Sequence, residues 1–143
     1  MTVARILAEK GREVFTTHPR RTLREAIGML ADRGVGAIVV ADDSMAVLGI
    51  ISERDVVRVI ARNGASALDD EVSRHMTPKV TTVTREATVD EVMQTMTEGR
   101  FRHLPVVEDG RLIGLVSIGD VVKRHISAID GERQALREYI ATA

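Results

Sequence analysis

A chain of 143 residues is long enough to bury a core of one or two compact units. Its 20 basic and 21 acidic residues leave a formal charge of −1, too balanced to draw nucleic acid by bulk charge. The absence of cysteine excludes disulfides, thiolate metal sites and cysteine nucleophiles, and fits a reducing compartment.

The N-terminal VARILAEKG reads as a short helix. It has no long apolar stretch, so no signal peptide is expected. Apolar runs elsewhere fall far short of the roughly 20 residues that span a bilayer. EVFTT (13–17) is a Val/Thr-rich strand candidate. TLREAIGMLADRG then sets Leu23, Ala26, Ile27 and Leu30 at helical spacing behind a Thr22/Glu25 capping box. AIVVA and VLGIIS pair across a turn around Asp42-Asp43-Ser44, and RDVVRVIARNG follows as a second helix. ALDDEVSRHM places Leu68, Val72 and Met76 at i, i+4 and i+8, which predicts a short amphipathic helix with the N-terminal helix as its partner.

The same order then returns. KVTTV (79–83) is a strand candidate, and TVDEVMQTMTEGR carries Val89, Val92, Met93 and Met96 behind a Thr88/Glu91 capping box. HLPVV turns at Asp109-Gly110, the favoured tight-hairpin pair, into RLIGLVS, and GDVVKRHISAI is the closing helix. The tail IDGERQALREYIATA aligns Ile129, Leu136 and Ile140, an apolar stripe that covers the module or meets another subunit. A shift of 66 carries Val14 onto Val80, Thr22 onto Thr88, Glu25 onto Glu91 and Val40 onto Val106. The chain is thus two β-α-β-β-α copies, read as facing half-domains: 1–66 with the N-terminal helix, 67–130 with the linker helix, and a helical tail over 131–143.

Each copy carries the same strand-to-helix junction, GIISERD (49–55) and GLVSIGD (114–120). Ser-x-x-Asp is itself a capping pattern, and alone it would be no more than a cap. A helix start also offers backbone N–H groups and a positive dipole end to an anion. The carboxylate cannot share that anion, but it accepts from neutral hydroxyls such as a ribose diol. The glycine allows close approach of a ligand or another segment. Phosphate donors beside a diol acceptor describe a nucleotide site.

Two such junctions in register, with RHLPVVEDGRLIGLVSIGDV between and around them, resemble a tandem pair of cystathionine-β-synthase (CBS) domains over about Val14 to Ile129. The resemblance implies an α/β (α+β) fold in which the repeats form one pseudo-two-fold Bateman module with two clefts for adenosine compounds. It implies ribose binding by Asp55 and Asp120, phosphate or sugar contacts from Ser52 and Ser117, and adenine packing near Ile50 and Leu115. Gly36-Ala37 and Arg102-His103, at the starts of the middle strands, would line the clefts, with backbone groups near Val14 and Val80 at the adenine edge. It also implies a homodimer formed through the helices, with Val56, Val57, Ile60, Val121, Val122 and Ile126 supplying apolar faces for the core and for that contact.

Arg54, Arg102, His103, Lys123 and Arg124 are the candidate phosphate partners. Their uneven distribution between the copies predicts unequal clefts. His18, His75 and His125 lack matching carboxylate spacing, so no metal is expected. GVGAIVV lacks a third glycine and leads into a strand, so it is no dinucleotide fingerprint, although NAD could still enter a cleft by its adenosine half. The expected function is a non-catalytic cytoplasmic regulator that senses AMP, ADP or ATP, with NAD(H) or S-adenosylmethionine also admissible. It would report to a separate protein, with neither membrane nor nucleic acid as a partner. The alternative is a scaffold with vestigial clefts. An enzyme is the weakest reading, since neither an activated nucleophile nor paired carboxylates stand out.

Overall fold

A computed structural model describes residues 1–11 and 13–142. The elements run α1 (Val3–Lys10), β1 (Thr16–Thr17), α2 (Leu23–Arg33), β2 (Ala37–Ala41), β3 (Val47–Ser52), α3 (Glu53–Asn63), β4 (Thr77–Pro78), α4 (Val89–Gly99), β5 (His103–Glu108), β6 (Arg111–Ser117) and α5 (Ile118–Thr142). Thr22 and Thr88 cap their helices as expected, and at α4 Thr88 N also donates to the Glu91 carboxylate, which completes the box there. Thr22 Oγ1 accepts from Glu25 N at 3.1 Å, and Thr88 Oγ1 from Glu91 N at 3.1 Å. Gly34 ends α2 in the left-handed region at φ 63°, and its repeat equivalent Arg100 ends α4 at φ 57°. A side chain there pays a conformational penalty that glycine avoids.

The first sheet has the order β1-β2-β3-β4, with β1 parallel to β2 and the other pairs antiparallel. The second is the β5-β6 hairpin, closed by Asp109 and Gly110, both at positive φ as a type I′ turn requires. Two strand expectations are corrected. EVFTT contributes only Thr16–Thr17, and KVTTV forms no strand, only a parallel bridge from Val83 to Val106. That bridge is the repeat image of the Thr17–Val40 pairing. Each stretch is partnered on one side only, and short edge segments of this kind limit unwanted pairing.

The linker also differs from expectation. In place of an α-helix it forms two 3-10 turns, Ala65–Asp69 and Val72–Arg74. It does not pair with α1. Ala67 and Val72 pack with Leu23, Ala26, Leu30, Ile38, Val40 and Ile51 in the first repeat. The apolar face of α1 (Val3, Ile6, Leu7) enters the second core instead, beside Val89, Val92, Met96, Leu104, Val106, Val116 and Val121. Each repeat is therefore closed by the segment that precedes the other. The 1–66 boundary follows the chain, while α1 packs with the second half.

The junction glycines make these closures possible. A Cβ on Gly49 would stand 2.7 Å from Thr77 O and 2.6 Å from Met76 Sδ, and one on Gly114 would stand 2.6 Å from Leu7 Cδ2. The close neighbour is thus the crossing chain, not a ligand. The closing helices differ: α3 buries no side chain, whereas α5 buries Val121 and runs unbroken through the tail as one 25-residue helix. The tail's final residue lies outside the described residues.

Candidate functional site

Both Ser-x-x-Asp junctions are complete caps. Asp55 N donates to Ser52 Oγ at 3.2 Å, while Ser52 N and Oγ each donate to Asp55 Oδ2 at 2.9 Å. The second junction repeats this, with Asp120 N to Ser117 Oγ at 3.2 Å, and Ser117 N and Oγ to Asp120 Oδ2 at 2.9 and 3.0 Å. The first helical amides are also taken: Glu53 N donates to Gly36 O at 3.0 Å and Ile118 N to Arg102 O at 2.8 Å. An anion at these helix starts is left with the amides of Arg54 and Gly119. The capping reading is realised at both junctions, and each cap engages only Oδ2 of its carboxylate.

The first cleft, of about 370 Å³, brings together Ile50, Ser52, Arg54, Asp55, Val80, Arg102, His103 and Gly36. Arg58, Thr77, Lys79, Gly99, Arg100, Phe101 and a second carboxylate, Glu53, complete it. Its carboxylate meets a neutral neighbour, since Thr77 Oγ1 donates to Asp55 Oδ1 at 3.4 Å. Arg54, Arg58, Lys79, Arg100 and Arg102 give this cleft a cationic wall.

The second cleft, of about 320 Å³, joins Val14, Gly36, Ala37, His103, Leu115 and Ser117 with Lys10, Glu13, Phe15 and Val35. Beside it, Lys10 Nζ donates to Asp120 Oδ2 at 2.6 Å and to Leu115 O at 3.0 Å. Arg124 Nη1 stands 4.0 Å from Asp120 Oδ1, so both carboxylate oxygens face a cation. Burial opposes ionisation of Asp120, but the Lys10 ammonium and the Ser117 N–H outweigh it and hold the carboxyl below its ordinary value.

Gly36 and His103 line both clefts, and a Cβ on Gly36 would lie 3.7 Å from the His103 ring. Burial first, then the Lys10 charge, lowers the His103 pKa against the opposing pull of Asp120. Asp120 lies beside the second cleft and not in its lining, and Lys123 and Arg124 lie in neither cleft. They border a separate depression with Met1, Glu9 and Asp90, and Arg124 Nε pairs with Glu9 at 3.1 Å. Sequence reading missed Lys10, which is 110 residues from its partner and carries no local signal. Arg58 was legible, one helical turn beyond Arg54, and so was Lys79 beside Val80. Among the described residues, His, Asp and Glu form no group able to hold a metal ion.

A duplicated strand-to-helix junction, two cores closed crosswise and paired clefts define a CBS-domain pair. The chain belongs to the CBS domain family, which matches residues 4–62 and 70–127. It is similar to a mitochondrial CBS domain-containing protein, CBSX3, of Arabidopsis thaliana, 42% identical over 83% of this chain and 60% of that one, so it spans less than two thirds of that relative. A solved CBS-domain containing protein from Agrobacterium tumefaciens matches with TM-score 0.84 and 46% identity, over 87% of this chain and 99% of that one. Two solved neighbours hold adenosine compounds. A CBS domain protein from Pyrobaculum aerophilum is complexed with AMP (27% identity, TM-score 0.75, 84% and 89% covered). The CBS domain pair of protein MJ0100 is in complex with 5′-methylthioadenosine and S-adenosyl-L-methionine (25% identity, TM-score 0.78, 87% and 99% covered).

Proposed function

We infer that this protein is a non-catalytic sensor of an adenosine-containing ligand, that a phosphorylated form such as AMP is preferred, and that occupancy of the module is read by another protein. The carrying observation is the first cleft, where Asp55 keeps Oδ1 for hydroxyl donors while Arg54, Arg58, Lys79, Arg100 and Arg102 crowd the same space. A volume of about 370 Å³ falls within the roughly 300–1,000 Å³ of small-molecule sites. An acceptor for a sugar diol beside clustered cations suits a nucleotide better than the cationic S-adenosylmethionine. Ile50, Val80 and Phe101 supply apolar surface for a base. ATP, ADP and NAD share the recognised half and differ in how many cations they engage.

The signalling side rests on population shift: a ligand that prefers one arrangement of the repeats changes what a partner meets. The exposed apolar residues Val57 on α3 and Val122, Ile126 and Ile129 on α5 support association with a second copy through these helices. Among the described residues, no helix is long and apolar enough to cross a membrane. A cytoplasmic setting stays part of this proposal, next to a relative named as mitochondrial.

Thermal-shift and calorimetric titration with AMP, ATP, NAD and S-adenosylmethionine test the reading. At 100 times Kd, a bound ligand adds about 2.7 kcal/mol of stability. The expected order places AMP or ATP above S-adenosylmethionine, with binding abolished or strongly weakened in Asp55→Ala. If none of the four shifts the unfolding midpoint, the scaffold reading takes over.

A further inference from the structure

The two junction carboxylates, Asp55 in the first cleft and Asp120 beside the second, are equivalent by repeat, yet their partners are not. Asp55 is approached by a threonine hydroxyl at 3.4 Å, and Asp120 by a lysine ammonium at 2.6 Å. We propose that Lys10 is an intramolecular competitor for the second cleft, holding the sugar-binding carboxylate until an adenosine ligand displaces it. This rests on the nucleotide reading above.

The ammonium touches two of the groups a nucleoside would need. One is the Asp120 carboxylate, and the other is the carbonyl of Leu115, the residue placed near the base. Its side chain is only 31% exposed and that of Asp120 only 18%, so the pair is shielded enough to hold its geometry. The ammonium adds a charge–charge attraction to its hydrogen bond, whereas a ribose hydroxyl brings the hydrogen bond to the carboxylate alone. A ligand must therefore supply more than a diol to take the site.

Displacement has a structural consequence as well. Lys10 and Glu9 occupy the last turn of α1, and Glu9 pairs with Arg124 of α5. Releasing Lys10 removes one of two ionic ties between the end of α1 and the start of α5, while Val3, Ile6 and Leu7 keep the helix seated. The second cleft thus binds more weakly than the first and couples its occupancy to α1.

Calorimetry with AMP and with adenosine tests this on the full chain, using Asp55→Ala to isolate the second cleft. Adding Lys10→Met, and separately Lys10→Gln, is expected to tighten both probes by about tenfold, within the roughly 5–150-fold range of coupling between sites. Lys10→Arg is expected to leave affinity low. Unchanged affinity in both neutral variants, or no measurable binding in any variant, overturns the proposal. So does weaker AMP with unaltered adenosine, which would make Lys10 a phosphate ligand. The nucleotide reading fails separately, if Asp55→Ala and Asp120→Asn leave wild-type AMP binding untouched.

Discussion

The two clefts come from one duplicated junction and have diverged in what faces the carboxylate. The first is walled by arginines and lysine but keeps its acceptor beside a neutral hydroxyl. Among the described residues the second has one Lys or Arg in its wall, Lys10, and that ammonium sits on the acceptor. Identical caps therefore do not make identical sites. The difference lies in the crossing segments, Thr77 in one half and Lys10 in the other, which close each repeat from outside its own sequence.

The largest way to break this comparison is Asp55→Ala. It is expected to weaken AMP at the first cleft by about 10- to 100-fold, the loss of hydrogen bonding to a charged group. Stability should fall only by a capping increment of about 0.5–2 kcal/mol. Calorimetry paired with denaturant unfolding reads both, and unfolding without ligand loss would return the residue to a purely structural role.

The junction glycines sharpen the comparison next. Gly49→Ala is expected to cost about 1–3 kcal/mol, since its Cβ meets a backbone carbonyl that cannot swing aside. Gly114→Ala should cost less, because Leu7 can change rotamer. Equal unfolding midpoints in urea would contradict that asymmetry.

A smaller effect is read in pH. His103 titrates below its ordinary 6.5 in the folded chain, through burial first and the Lys10 charge second. Between 6.5 and that lower value the unfolded chain binds more protons, so this contribution is full above pH 6.5 and declines as pH falls. Asp120, depressed below 3.8, contributes fully above that value and loses its contribution as pH falls through the native pKa. Lys10→Met should make both declines shallower, measured as thermal midpoints from pH 3 to 8. An unchanged profile would show that the ammonium does not govern either group.

The smallest expected change is Arg102→Ala. Arg102 is exposed at the cleft rim, so AMP affinity should fall only a few-fold, roughly the 0.2–1 kcal/mol of an exposed ion pair. Adenosine affinity should not change, and added salt should erase the difference.

The repeat, the helices, the hairpin and both caps were legible because each rests on local chemistry: periodicity, capping spacing and an Asp-Gly turn. The linker was misread because Leu68, Val72 and Met76 keep a helical spacing, while backbone bonds from Leu23 N to Asp70 O and Val72 N to Arg21 O tie it to the first repeat. KVTTV was misread because its strand-like composition meets β5 only at Val83, through bonds with Pro105 and Val107. Among site residues, the junctions could be found from spacing alone. The Lys10 contact could not, since nothing local in a helix end announces a carboxylate 110 residues away.

The closing helix α5 begins one residue after Ser117 and continues for 25 residues without interruption. At about 1.5 Å per residue it reaches roughly 37 Å from the second cleft. From Ile126 onward its residues are exposed, among them Leu136, Tyr139 and Ile140 near the far end. A tilt of about 5° at the root would sweep that end through roughly 3 Å. Geometry alone gives this half of the molecule a mechanical advantage that the shorter α3 lacks.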